Sequence, residues 1–341
     1  MTASCRIIGL TLETRPDRIT KREIKNFRKY NCTRVQLGVQ HIDDSVLKMN
    51  NRNCYTKDTI NSLLLLKDNG FKVDTHFMPD LPGSNFDLDK EMFHNLLGIK
   101  KMKNDFKAHF FEYELLHPEL QSDQWKIYPT EVTRWTDIKK CYDEGTYKPY
   151  AENEEIMKQL ILKIKIDVFP WIRLNRVVRD FEFNSTVLGG NPNPSLRDDL
   201  HRELAKMGEY CKCIRCREVG HMSKQISLRK NINILKNKFR IEDIYIKEEY
   251  SKIYLYYSEK KRNETNNIKI EIVLVIRKYN TKGGIEYFLS YETIDYKILF
   301  GFLRLRINYS NDNVFFKEIE NSGLIRELHV YGSLIKHDDS K

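Results

Sequence analysis

Three cysteines fall within six residues, Cys211, Cys213 and Cys216 in the stretch CKCIRCREVGHM. Thiolates held this close repel one another unless a cation neutralises them, and zinc does so inside a closed tetrahedron of sulfur and imidazole ligands at about 2.0–2.3 Å. The C-x-C-x2-C spacing therefore predicts a zinc site, with His221, five residues on, as the nearest candidate for the fourth ligand. Three free thiols in a turn are the plain alternative. A redox role for Cys213 and Cys216 lacks the thioredoxin-like βαβ setting. Cys5, Cys32, Cys54 and Cys141 are scattered and read as small buried apolar groups. An odd total of seven, without a secretory signal, argues against a disulfide framework.

A second set of candidate residues is polar and lies where predicted strands end: Glu13 and Arg15, Gln40, then His76 and Asp80. In parallel α/β folds, ligands bind at these carboxyl ends, although any one of the residues could simply cap a loop. A third set is cationic. Arg173, Arg176 and Arg179 lie close together, with strand alternation putting Arg173 and Arg179 on one face and Arg176 on the other. Lys212, Arg215 and Arg217 interleave the cysteines. These side chains could meet phosphate or be ordinary solvated surface. The chain carries 58 Lys+Arg against 48 Asp+Glu, a net charge of +10, which favours polyanionic partners through counterion release.

The elements that position these residues alternate over the first hundred positions. Strands are predicted at 6–14 and 33–40, with a third over 71–83 that runs into a Pro-Gly loop, and helices at 20–30, 43–50, 56–70 and 87–100, with Thr20 as an N-cap and Gly70 as a terminator. This is the pattern of parallel βα units. A polar and aromatic segment, FKAHFFEYELLHPELQS, follows without an assigned element. Further strands are expected at 123–132 and 171–181, and helices at about 136–145, 151–166 and 196–210. After residue 225 the composition turns β-rich and reads as an antiparallel meander, with 258–267 as a charged mobile insertion. The expected units are 1–185, a linker at 186–225 bearing the cysteines, and 226–341. A metal pin at that junction would fix the orientation of the two larger units. No stretch nears the roughly 18 apolar residues a membrane helix needs, and Glu13 and Arg15 arrive too soon for a signal peptide. The reading is an intracellular protein without a membrane partner.

The blocks GLTLETRPD, TRVQLGVQ, NGFKVDTHFMPDLPGS, DQWKIYPTEV, WIRLNRVVRD, CKCIRCREVG, FLSYE, GFLRLR and IRELHVYGS, in this order and over almost the whole chain, resemble the catalytic subunit of Elongator. The resemblance implies an α/β fold made of a partial radical S-adenosylmethionine (SAM) βα barrel, a zinc-binding linker and the first part of a β-rich GNAT-type acetyltransferase domain. It implies modification of the tRNA wobble uridine toward 5-carboxymethyluridine, with SAM, a 4Fe-4S cluster and acetyl-CoA as cofactors, tRNA and other Elongator subunits as partners, and a cytoplasmic or nuclear location. Under it, Glu13, Arg15, Gln40, His76 and Met78 face SAM or the transfer chamber. The cysteine triplet matches the family's zinc linker, and Arg173, Arg176, Arg179, Lys212, Arg215 and Arg217 approach tRNA. The family's cluster cysteines and its Gly-rich acetyl-CoA loop fall outside the matched blocks, so the expectation is a fragment or truncated form, inactive in isolation. The competing expectation is a non-catalytic, zinc-stabilised scaffold that holds tRNA or an Elongator partner.

Overall fold

A computed structural model describes residues 7, 9–178, 187–190, 193, 195–221, 240–249, 252–261 and 264–331. Two sheets carry the chain. The first is parallel, built from β1 (Leu10–Thr14), β2 (Cys32–Gln40), β3 (Lys72–Phe77), β6 (Gln124–Ile127) and β8 (Arg173–Arg176) in that order. Helices α1 (Lys21–Lys29), α2 (Asp44–Met49), α3 (Thr56–Asp68), α4 (Phe86–Leu97), α5 (Asp137–Asp143), α6 (Glu154–Asp167) and α7 (Leu196–Lys206) lie between or after these strands, and α8 (Ile214–Arg217) carries the last cysteine. Local chemistry starts them. Thr20 caps α1 by accepting from the Glu23 amide at 3.3 Å, and Asn85 caps α4 from the Leu88 amide at 3.0 Å. Gly70, at φ +75°, ends the turn after α3 in a conformation that disfavours a side chain.

The parallel sheet is two-faced. On β3, Val73, Thr75 and Phe77 are buried on the face that packs against helices, while Lys72, Asp74 and His76 alternate onto the other. The apolar face forms one core with α4 and α6, where Phe77 meets Phe93 and Trp125 edge-on at 5.8 and 5.2 Å. A parallel sheet normally buries apolar side chains on both faces. Here one face is polar, and it is lined by Thr11, Glu13, Arg34, Gln36, Asp74, His76 and Lys126.

The second sheet runs β10 (Arg240–Glu249), β11 (Lys252–Lys261), β12 (Glu264–Thr281), β13 (Gly284–Thr293), β14 (Leu299–Asn308) and β15 (Gly323–Val330), all antiparallel. The meander is as expected, but the charged stretch 258–267 is not an insertion. Ser258–Lys261 and Glu264–Asn267 pair as the ends of β11 and β12. Two strands from the first half of the sequence also join this sheet. β4 (Ile99–Asp105) and β5 (Phe110–Leu115) form a hairpin, and β5 pairs in parallel with Ile276–Tyr279 of β12. The aromatic segment left unassigned therefore holds β5, whose Phe111 and Tyr113 are buried at the junction of the sheets. The strand predicted over 123–132 divides into β6 and β7 (Val132–Thr133), because Pro129 cannot donate to a ladder. β7 pairs with β9 (Val187–Gly189) instead.

The two sheets meet through buried charge. Asp123, just before β6, accepts both Arg326 guanidinium nitrogens at 2.7 Å, and Arg326 reaches on to Glu286 at 2.6 Å. Arg306 joins Glu286 at 3.1 Å and binds Asp68 at the end of α3. Arg304 donates to Glu327 at 2.9 Å, and Glu327 also binds Lys72. Asp123, Glu286, Arg304 and Arg306 are at most 1% exposed. Burial alone would raise the Asp123 pKa, but the charges of Arg326 and Arg304 hold its carboxyl far below the usual range. Burial likewise draws the Lys67 ammonium, 3.5 Å from Glu286, down to about 8.

Removing one partner from such a lattice leaves its neighbours as uncompensated buried charges. Arg326→Met should cost about 3–5 kcal/mol of unfolding free energy, read as a lowered urea midpoint. A loss below about 1 kcal/mol would show that the lattice does not hold the sheets together.

Candidate functional site: the strand-end mouth and the cysteine turn

The carboxyl ends of β1, β2, β3 and β6 open onto one polar surface. His76 is 5% exposed, and its Nδ1 lies 3.5 Å from a Glu13 oxygen. No hydrogen bond to Glu13 fixes the tautomer, so the unpartnered Nε2 can present either a lone pair or an N–H. Burial first, then the Lys126 charge, lowers the His76 pKa to about 4, so the imidazole is neutral near pH 7. Lys126 Nζ donates to Gln36 at 2.7 Å, and Gln36 donates to Asp74 at 3.1 Å. Asp74 is fully buried, and burial raises its pKa to about 6 against the pull of Arg34. Gln40 Oε1, Asp74 Oδ1 and His76 Nε2 have no hydrogen-bond partner. Two free oxygen acceptors and an unpartnered ring nitrogen suit a polar ligand with N–H donors.

The other expected mouth residues separate. Met78 is half-buried, and its amide donates to the Gln40 carbonyl at 2.8 Å, which ties the ends of β2 and β3 together. Arg15 turns away, forking onto Asp17 at 2.9 and 3.1 Å and donating to the Asn53 carbonyl at 3.2 Å. Arg52 was not anticipated. Its guanidinium lies against Gly38, where a Cβ would come within 2.8 Å of Nη2, so glycine is what lets this cation reach the mouth beside Gln40. A loop arginine carries no sequence signal of this kind. Lys126 and Gln36 were legible only as alternate positions of their strands.

The cysteine turn is buried. The Cys211, Cys213 and Cys216 sulfurs all lie within 4.8 Å of one another. Cys213 caps α8 by accepting from the Cys216 amide at 3.4 Å. Burial pushes the Cys211 thiol up, whereas the hydrogen bonds Cys213 accepts from Cys211 and Cys216, with Lys165 close by, outweigh burial and bring Cys213 down. Among the described residues, the imidazole nearest the sulfurs is that of His201 on α7, with Nε2 3.4 Å from Cys216 and 3.1 Å from the Lys165 ammonium. His221 ends the 3-10 turn Val219–His221, and its side chain lies outside the described residues. His201 sits ten residues before Cys211 on a helix, a spacing that no linear zinc motif picks out.

Among the described residues, the basic side chains do not form one surface. Arg217, expected to approach RNA, is 2% exposed and is consumed by structure. It binds Glu292 at 2.7 Å and the carbonyls of Lys212, Tyr296 and Pro170. With Arg277 also on Glu292, these charges overcome burial and bring that carboxyl down to about 2. Arg173 is half-buried against Glu218 at 2.8 Å and the Tyr331 hydroxyl at 3.1 Å. Arg215 donates to the Asn175 carbonyl, Lys212 is half-buried, Arg176 is exposed, and Arg179 lies outside the described residues.

Parallel βα units with a polar strand-end mouth, joined to a β-rich lobe, are the frame on which matches to the radical SAM class fall. The sequence model of the Radical SAM superfamily matches residues 2–95, and that of the Radical_SAM C-terminal domain matches 122–206. The tRNA uridine(34) acetyltransferase of Methanocaldococcus infernus is 33% identical over 332 residues, 97% of this chain and 51% of that protein. Elongator complex protein 3 of Homo sapiens is 33% identical over 328 residues, 96% of this chain and 49% of that protein. Among solved structures, the archaeal Methanocaldococcus infernus Elp3 with an N-terminus deletion (1–46) superposes with a TM-score of 0.75 at 31% identity, covering 99% of this chain and 66% of that one. The chain belongs to the Elongator complex protein 3 family. It spans about half the length of the curated relatives it matches. Among the described residues, no helix is long and apolar enough to cross a membrane.

The neutral state of His76 is directly measurable. Its NMR titration should show a midpoint near 4. Because the unfolded chain takes that proton near pH 6.5, this residue withdraws stability as pH falls from about 6.5 toward 4. A midpoint near 6.5 would mean that the ring is hydrated and the mouth open at His76.

Proposed function

We propose that the chain takes part in modifying the wobble uridine of tRNA toward 5-carboxymethyluridine, with SAM at the strand-end mouth and acetyl-CoA as acyl donor on the β-rich lobe. The observation that carries this reading is the collinear match, over 97% of the chain, to a protein named for acetyl transfer at tRNA uridine 34. In this reading Gln40, His76, Met78 and Glu13 hold SAM, and Asp74 supplies a further acceptor. SAM, when bound and given an electron by an iron–sulfur cluster, would supply the radical chemistry of the superfamily. The chain's own contribution is to orient the ligand through these groups, keep His76 neutral and shield the inner face from water. Among the described residues only the cysteine turn brings three metal-ligating side chains together.

The cysteine turn is read as a zinc site held by Cys211, Cys213 and Cys216, with His201 in place of His221 as the fourth ligand. The fit rests on the crowded sulfurs; His201 Nε2 lies 3.4 Å from Cys216 and would have to draw closer to the other two sulfurs to complete the set. A zinc there would pin α7 and α8 to the core that α6 supplies through Lys165. tRNA and other Elongator subunits are the proposed partners, with Arg176, Lys212 and Arg215 proposed to approach phosphate.

The test pairs metal analysis with filter binding of tRNA. The reading expects about one zinc per chain, released by Cys213→Ser and by His201→Ala but retained in His221→Ala. It expects tRNA affinity that falls steeply with salt, about a thousandfold between roughly 50 and 200 mM if about six phosphates are neutralised. Metal-free, freely alkylated thiols would remove the zinc site, and absence of tRNA binding at low salt would remove the RNA reading.

A further inference from the structure

Asp89, in the first turn of α4, is fully buried, and its carboxylate accepts four hydrogen bonds. Oδ1 accepts from Ser84 Oγ at 2.7 Å and His41 Nε2 at 3.0 Å, and Oδ2 from the Asp80 amide and the Tyr150 hydroxyl, each at 2.6 Å. The His41 tautomer is set from its other side, where Nδ1 accepts from the Asp43 amide at 2.9 Å and so leaves Nε2 to donate. The donors come from three separate connections: the one after β2, the one after β3, and the 3-10 turn Tyr150–Glu152 ahead of α6.

These connections are the ones that shape the mouth. Gln40 directly precedes His41 and has φ +73°, and Asp80 lies two residues past Met78 at φ +69°. Non-glycine residues in this left-handed region cost free energy and persist only where the surroundings over-determine them. Asp80 is over-determined. Its carboxylate accepts the Tyr150 and Ala151 amides at 3.1 and 2.8 Å, its carbonyl accepts the Tyr147 hydroxyl at 2.6 Å, and its amide is bound by Asp89. The Met78 amide then carries the geometry to the Gln40 carbonyl.

We propose that Asp89 is the positioning residue of the mouth: without touching ligand, its carboxylate sets the backbone of Gln40 and of Met78–Asp80. The role assigned to that mouth rests on the reading that it takes SAM. Only a carboxylate fits the hub. Two oxygens can accept four donors, whereas an amide at residue 89 would keep one accepting oxygen and aim its own N–H groups at two of those donors.

The experiment uses the full chain, with S-adenosylhomocysteine as probe, calorimetry well below the thermal midpoint, and amide hydrogen exchange in parallel. Asp89→Asn should weaken binding by about tenfold or more, and Ser84→Ala and Tyr150→Phe by smaller factors. Exchange should quicken at 40–43 and 78–84 while amides of β14 stay protected. Leu63→Ala, a core truncation on α3, is the control for stability alone and should lower the thermal midpoint with affinity unchanged. If Asp89→Asn weakens binding no more than Leu63→Ala, or if its exchange rises uniformly or not at all, the proposal is overturned. Should the wild-type chain bind no probe, the SAM reading is what falls, and localised exchange at 40–43 and 78–84 still decides for or against the hub.

Discussion

The pairing of Asp123 with Arg326, continued through Glu286, Arg306 and Asp68, is the constraint on which the rest of the structure depends. These groups lie at the end of α3, just before β6, and on β13, β14 and β15, so they fasten the amino-terminal side of the parallel sheet onto the antiparallel sheet. Separating the sheets would strand several charges in low dielectric, a far larger cost than losing apolar contact alone. A second tie, Arg217 with Arg277 on Glu292, fixes the cysteine turn to β12 and β13. With one end of the parallel sheet closed in this way, the opposite end is free to be a ligand mouth.

That end differs from an ordinary parallel sheet because one face is polar. Thr11, Glu13, Arg34, Gln36, Gln40, Asp74, His76 and Lys126 contribute hydrogen-bonding groups from β1, β2, β3 and β6, and three of their buried polar atoms remain unsatisfied. Buried unsatisfied polar atoms are costly for stability alone. Their grouping around a neutral histidine is the physical ground for placing ligand chemistry there and not on the open face of the second sheet.

Local features were legible in the sequence and distant pairings were not. Thr20, Gly70 and the alternation of Lys72–Phe77 declare their elements through nearest neighbours, and three cysteines in six residues declare a metal-type cluster. Asp123 and Arg326 are 203 residues apart, and nothing local marks either as half of a buried pair. Arg217 read as surface because charge is usually solvated, but Glu292 lies far along the chain and converts it into core. β5 was hidden for a similar reason: its aromatic side chains read as irregular until β12 supplies the partner strand. His201 lies on a helix, so only the fold brings it to the cysteines.

The most direct test of the account as a whole asks where a wobble uridine lands. An anticodon stem–loop carrying 4-thiouridine at the wobble position, irradiated in complex with the chain and mapped by mass spectrometry, should crosslink to the strand-end segments around Glu13, Gln40 and His76–Asp80. Crosslinks confined to the outer face of the antiparallel sheet would contradict the assignment of the mouth.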